Sequence, residues 1–233
     1  GLVVSEDIWV PLMQAIVQHR EIDYFMGASL ATIFGHRVLG GTPYETLLGR
    51  YHAQLTREAL WRAGRPGMPT WAIISAVTEY GQLGGFGIPG GFDPDQDVAM
   101  ILLPGDMETN YTSLHKVAHT INCGGKIHAG FSVTIGGGAG PPEGAALVHV
   151  AYVLLNFAVH QASFSGGMLL DARYGGNCGR EGQWPESISY QALSRNTHLL
   201  KGGATSNQVA GPCTEMLLYE SAMAMMNFSV SGG

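Results

Sequence analysis

Uncharged, β-leaning runs alternate with amphipathic helical stretches about six times along this chain, and long Gly-rich segments fall mainly where a strand gives way to a helix. Strands that alternate with helices lie parallel, because each helix carries the chain back to the start of the next strand. Repeated long loops at one end fit a closed barrel better than an open sheet. The expected fold is α/β, a (β/α)8 TIM-type barrel, and about six units in place of eight make it incomplete in this chain. Two connections anchor the reading. Ala63 to Trp71 (AGRPGMPTW) joins a long helix to a strand, Trp71 to Val77, and Ala210 to Met216 (AGPCTEM) turns a strand into the last helix.

The chain has 233 residues, enough for a substantial core in one domain spanning 1–233. Only 13% of residues are charged, against about 25% in an average protein, and 34 are Gly. Such a chain hides most of its secondary structure and turns sharply. Its formal charge is −6 with only Lys116, Lys126 and Lys201 as lysines, which argues against a nucleic-acid partner. Cys123, Cys178 and Cys213 are widely spaced and form no CxxC pair, as expected of free thiols in a reducing cytoplasm. The uncharged run Gly144 to Leu170 is no membrane span. It contains His149, Asn156 and His160, which with Val153 share one helix face, so it reads as a buried helix with a polar stripe followed by a strand. A start at Gly1 and an end on Ser231, Gly232 and Gly233 directly after a helical pattern point to an internal fragment of a longer chain.

In order, Ser5 to Arg20 reads as a helix, Tyr24 to Met26 as a short strand, and Gly27 to Gly41 as a long loop. Thr42 to Glu45 is a capping box that opens a helix running to about Ala63 and stopped by Gly64. Gly81 to Pro94 is too rich in Gly and Pro for regular structure. Strands follow at Val98 to Leu103, Ile127 to Val133, Gly167 to Tyr174 and Ala204 to Val209, with helices at Asn110 to Cys123 and Glu186 to Leu200. A barrel carries its site where strands end, which selects the stretches around Trp71 to Tyr80, Asp106 to Asn110, His128 to Ser132, Arg173 to Asn177 and Thr205 to Gln208.

Three blocks carry a family resemblance: Val4 to Pro11 (VSEDIWVP), Ala63 to Met68 and Ala210 to Met216, with Thr42 to Glu45 between the first two. In this order they resemble the monomethylamine:corrinoid protein methyltransferases, along essentially the whole chain and most weakly from Gly84 to Phe131. The resemblance implies a (β/α)8 barrel that moves a methyl group from a small methylated amine to the Co(I) of a cognate corrinoid protein. It implies no permanently bound cofactor, the corrinoid being supplied by that partner, and a homo-oligomer. Family members hold pyrrolysine a few residues after the AGRPGM block, and an ungapped count places Trp71 there. Indole has no electrophilic carbon to add an amine, yet its face is a good site for a quaternary ammonium. Ile74 and Gly130 stand where two of the family's glutamates would lie, and Asn207 with Gln208 resembles an Asn-Gln pair near the family's site.

The candidate site thus comprises Trp71, Asn207 and Gln208 as catalytic positions and Glu79, Tyr80, Asp106, His128 and Tyr174 as substrate-binding positions, with no metal ligands. Each has a plainer reading. Trp71 fills a barrel core, Asp106 and Glu108 stabilise a helix N-terminus, and His128 is a satisfied core histidine. His115 and His119 lack the glutamate of HExxH and read as structural; Cys213 heads a helix with no base beside it. Three alternatives stand beside methylamine demethylation: a quaternary-amine demethylase with Trp71 as wall, a zinc methyltransferase using Cys213 and His128, and a non-catalytic barrel that binds a corrinoid protein or a methylated solute.

Overall fold

A computed structural model describes residues 3–72, 78–203, 207–211 and 213–233. The chain divides into two compact units, Gly1–Ile101 with Asn110–Ile127, and Leu102–Thr109 with His128–Gly233.

The first unit opens with β1 (Val3–Val4) and α1 (Glu6–Val17), followed by the short strands β2 (Phe25–Met26), β3 (Ser29–Leu30), β4 (Thr32–Ile33) and β5 (His36–Arg37). Then come α2 (Pro43–Arg62), β6 (Thr70–Ala72), α3 (Tyr80–Leu83), β7 (Val98–Leu102, its last residue assigned to the second unit) and α4 (Tyr111–Asn122). β6 pairs in parallel with β2 on one side and β7 on the other, which bears out parallel βα repeats. Trp9, Met13 and Val17 of α1 and Leu48, Ala59 and Leu60 of α2 form the buried seam with Phe25 and Met68. The loop expected at 27–41 is broken by three two-residue strands, β4 and β5 forming an antiparallel hairpin.

The capping box at Thr42 takes another form. Thr42 makes no side-chain cap; its hydroxyl donates to the Leu39 carbonyl at 2.7 Å. The Glu45 carboxylate, fully buried, accepts instead from the Gly41 amide (2.5 Å) and from both the amide (2.7 Å) and hydroxyl (2.8 Å) of Thr78. A residue type chosen for helix initiation therefore also holds the segment that leaves β6.

The second unit runs β8 (Lys126–Ile135, its first two residues assigned to the first unit), α5 (Pro142–Ala158), β9 (Phe164–Asp171), α6 (Arg180–Asn196) and α7 (Glu215–Ser231). β8 and β9 are parallel over a register from His128↔Phe164 to Ile135↔Asp171. β8 thus extends past Val133, and β9 starts before Gly167 and ends before Tyr174. α6 begins at Arg180, ahead of the expected Glu186, and accommodates Pro185. Proline lacks only one amide, so near a helix start it removes a single backbone bond. Ala204 to Ser206 of the last expected strand lie outside the described residues, as do Ile73 to Val77; Asn207 to Val209 are not strand.

The polar stripe of α5 is buried as expected, and toward and just past the end of the helix it is hydrogen-bonded. Asn156 donates to the Ser165 hydroxyl (2.9 Å) and faces His160 (3.0 Å), whose other ring nitrogen lies 3.4 Å from Thr109. His149 sits between the rings of Phe131 and Tyr190, and burial pushes its pKa down to about 4. No described helix is long and apolar enough to cross a membrane.

Candidate functional site

In parallel βα repeats, functional groups gather past the C-terminal ends of the strands. Two of the expected residues lie at the opposite ends. Trp71 is second in β6 and pairs with Val98, the first residue of β7; its ring packs edge-on against Tyr24 at 5.1 Å. His128 lies near the start of β8, opposite the first residue of β9, with its ring 4.5 Å from that of Phe164; burial pushes its pKa down to about 4. The expectation that both stand at strand exits is corrected. The expected strands, Trp71 to Val77 and Ile127 to Val133, already begin at or one residue before these side chains, and β6 and β8 each start one residue earlier still.

Glu79 and Tyr80 come after β6 in the chain, beyond residues 73–77, which lie outside the described residues. The Glu79 carboxylate is held below the usual carboxylate range, first by a backbone amide and then by His115, 3.2 Å away on α4. Tyr80 is 48% exposed and shares with Glu79, Leu83, His115 and His119 an open hollow of about 620 Å³. His119 uses its other side to meet the Phe86 carbonyl at 2.9 Å, in keeping with a structural reading.

In the second unit the exits of β7, β8 and β9 carry polar groups. Asp106 and Met107 follow β7 in consecutive left-handed conformations (φ 56° and 66°), each costing about 1–2 kcal/mol in a non-glycine residue. The Asp106 carboxylate crosses the Gly136–Gly140 turn, so close to Gly138 that a Cβ there would stand 2.7 Å from it. Tyr152 donates from α5 to the carbonyl of Pro104 and fixes the approach to this turn. At the end of β9, Asp171 binds Arg173 through both oxygens (2.7 and 3.0 Å), and the guanidinium lies 5.1 Å over Tyr174, which is 59% exposed. Arg173 holds Asp171 ionised, below the usual carboxylate range.

Asn207 joins this exit. Its carbonyl accepts from the Asn177 amide (2.9 Å), its own amide donates to the Asn177 side chain (3.2 Å), and its side chain donates to the Gly175 carbonyl (3.3 Å). Gln208 is turned toward α7, donating to Ser221 at 2.9 Å. The structure therefore brings together Tyr174 and Asn207, and places Asp106 after β7, against the Gly136–Gly140 turn that follows β8. Sequence reasoning included Asn177 in a candidate stretch but missed Asp171 and Glu45 as supports; the available signal for Asp171 was a carboxylate closing an apolar strand two residues before Arg173. Cys213 is exposed and His128 buried, and among the described residues no three His, Cys, Asp or Glu side chains converge as a ligand set for zinc.

Over residues 1–233 the chain matches the sequence model of the family described as monomethylamine methyltransferase MtmB. It is 25% identical over 235 residues to monomethylamine methyltransferase MtmB of Methanosarcina mazei and 26% identical to MtmB1 of Methanosarcina acetivorans. Each alignment covers 100% of this chain and 50% of the relative, so the chain spans about half the length of these curated relatives. The crystal structure of the Methanosarcina barkeri monomethylamine methyltransferase MtmB superposes with a TM-score of 0.93 at 24% identity, over 99% of this chain and 50% of that one. That likeness shows the fold, an α/β (β/α)8-type barrel, incomplete in this chain. A match along its entire length places the chain in the monomethylamine methyltransferase MtmB family.

Proposed function

We propose that this protein transfers the methyl group of monomethylamine to the Co(I) of a separate corrinoid protein, in the cytoplasm. The family match along residues 1–233 is the observation that carries the reading. In the transfer the C–N bond breaks, its electron pair leaves on nitrogen as ammonia, and the methyl carbon bonds to cobalt. The partner's corrinoid supplies the nucleophilic metal. The chain's own residues have to hold an ammonium with its methyl group outward and keep the nitrogen protonated until it leaves.

In the second unit, Asp106 supplies a carboxylate, and Tyr174 with Asn207 supplies an exposed ring and an amide fixed by Asn177. Gln208 braces the same segment against α7. Glu79, ionised and beside Tyr80, is the carboxylate that the first unit offers to an ammonium. Trp71 and His128 serve packing in this scheme, as their positions at strand starts support. The quaternary-amine reading rested on Trp71 at the mouth and is not retained.

The test is direct: the purified chain, a reduced corrinoid protein and methyl-labelled monomethylamine are mixed, and label transfer and ammonia release are followed. Transfer that requires both the chain and monomethylamine is expected. No transfer from monomethylamine by a sample shown to be folded sinks the reading.

A further inference from the structure

We propose that a hollow beside α2, at the starts of β6 and β7, is a second ligand site that takes a small zwitterion with an apolar body, such as an apolar amino acid. The hollow encloses about 430 Å³ within the first unit, inside the usual range of roughly 300–1,000 Å³ for small-molecule sites. It lies at the ends of the strands opposite those that carry Glu79, Asp106 and Tyr174, and shares no residue with them.

Its chemistry is specific. Asp97, 6% exposed, lines the hollow and accepts hydrogen bonds from the Thr70 amide (3.2 Å), the Thr70 hydroxyl (2.8 Å) and the Asp93 amide (2.9 Å). All three donors are neutral, and among the described residues no ion pair is recorded for Asp97. An ionised carboxylate offers about four acceptor positions, so one remains for a further donor. A buried carboxylate without a cation is costly, and an entering ammonium offsets that cost.

Arg57 supplies the opposite charge. One of its terminal nitrogens donates to the Gly91 carbonyl, leaving other N–H groups of the guanidinium for a carboxylate. Glu58 also lines the hollow, but it is partly exposed and paired with Arg62 at 2.6 Å, so Asp97 is the buried carboxylate of the hollow. The floor is apolar: Leu60 and Phe92 are buried, and Trp61, 69% exposed, stands four residues after Arg57 on the same face of α2. One buried carboxylate, one guanidinium and an apolar floor complement an ammonium, a carboxylate and a hydrocarbon side chain.

Three probes with the same branched body separate the terms: L-leucine, isoamylamine (ammonium only) and 4-methylvalerate (carboxylate only), titrated calorimetrically and by Trp fluorescence. L-Leucine is expected to bind at least about tenfold more tightly than either single-charge probe. Arg57→Met is expected to reduce L-leucine to the level of isoamylamine. Asp97→Asn is expected to reduce it to that of 4-methylvalerate, with thermal melting checking the Thr70 and Asp93 bonds. Trp61→Ala, at an exposed position, is expected to weaken all three probes, with a thermal melt confirming the fold. Isoamylamine binding as tightly as L-leucine, unchanged L-leucine affinity in both Arg57→Met and Trp61→Ala, or no binding of any probe at about 10 mM overturns the proposal. Methyl transfer would be untouched by that failure, since none of these residues belongs to the strand exits.

Discussion

Glu186 shows how much a single buried group constrains this molecule. It is fully buried in α6, accepts from Gln183 at 3.2 Å, and burial pushes its pKa up to about 9 against weaker opposing hydrogen bonds from the Leu169 backbone and Asn177. Because the folded pKa lies above the unfolded value, the folded state keeps a proton that the unfolded chain releases. The stabilisation is complete below about pH 4.5 and is lost as pH rises toward 9, on the order of 3 kcal/mol of it by pH 7. Glu186→Gln keeps the shape without the titration, so its stability relative to wild type is expected to grow from pH 5 to pH 8 in urea denaturation. A constant difference between the two would remove Glu186 as the cause. Trp71 belongs to the same scale: Trp71→Phe is expected to leave methyl transfer within about twofold and to lower stability by about 1 kcal/mol or more through lost contact with Tyr24. Kinetics and a melt on one sample decide this, and a large loss of turnover would return Trp71 to the site.

At the scale of elements, Glu45 shows how a segment after β6 is held, and Gly166 how the start of β9 meets Gly202. Glu45 ties the start of α2 to Thr78, the first described residue after β6, with Glu79 next in the chain. Glu45→Ala leaves the Gly41 and Thr78 donors without their acceptor, a loss of about 1–3 kcal/mol. Amide exchange should speed up at Gly41 and Thr78 well before it does in α1. Gly166 carries the other constraint, since a Cβ there would enter the space of the Gly202 carbonyl oxygen. Gly166→Ala is expected to destabilise by about 1–3 kcal/mol, measured by denaturation, because backbone on both sides must move. Helix starts and turns were legible from local signals: Pro43 and Pro142 open α2 and α5, and Gly64 follows α2. The capping role of Thr42 was misread because the same residue types serve either a local cap or a distant tie, and only packing selects between them.

For the whole molecule, His128 and His149 are expected to contribute to loss of stability in acid. Both are buried with pKa values near 4, below the ordinary 6.5. The unfolded chain takes up protons first as pH falls through 6.5, so stability drops between about pH 6.5 and 4, by on the order of 3 kcal/mol for each group. A double His128→Gln, His149→Gln variant is expected to show a flatter acid limb than wild type; parallel limbs would exonerate these two residues. The sequence alone determined the α/β alternation, the buried polar stripe of α5 and the family, because periodicity, turn chemistry and motif order are local properties written along the chain. Only the tertiary structure decided which distant segments meet. It paired Trp71 with Val98 and His128 with Phe164 and tied Asn207 to Asn177, since register follows from pairing between segments far apart in sequence.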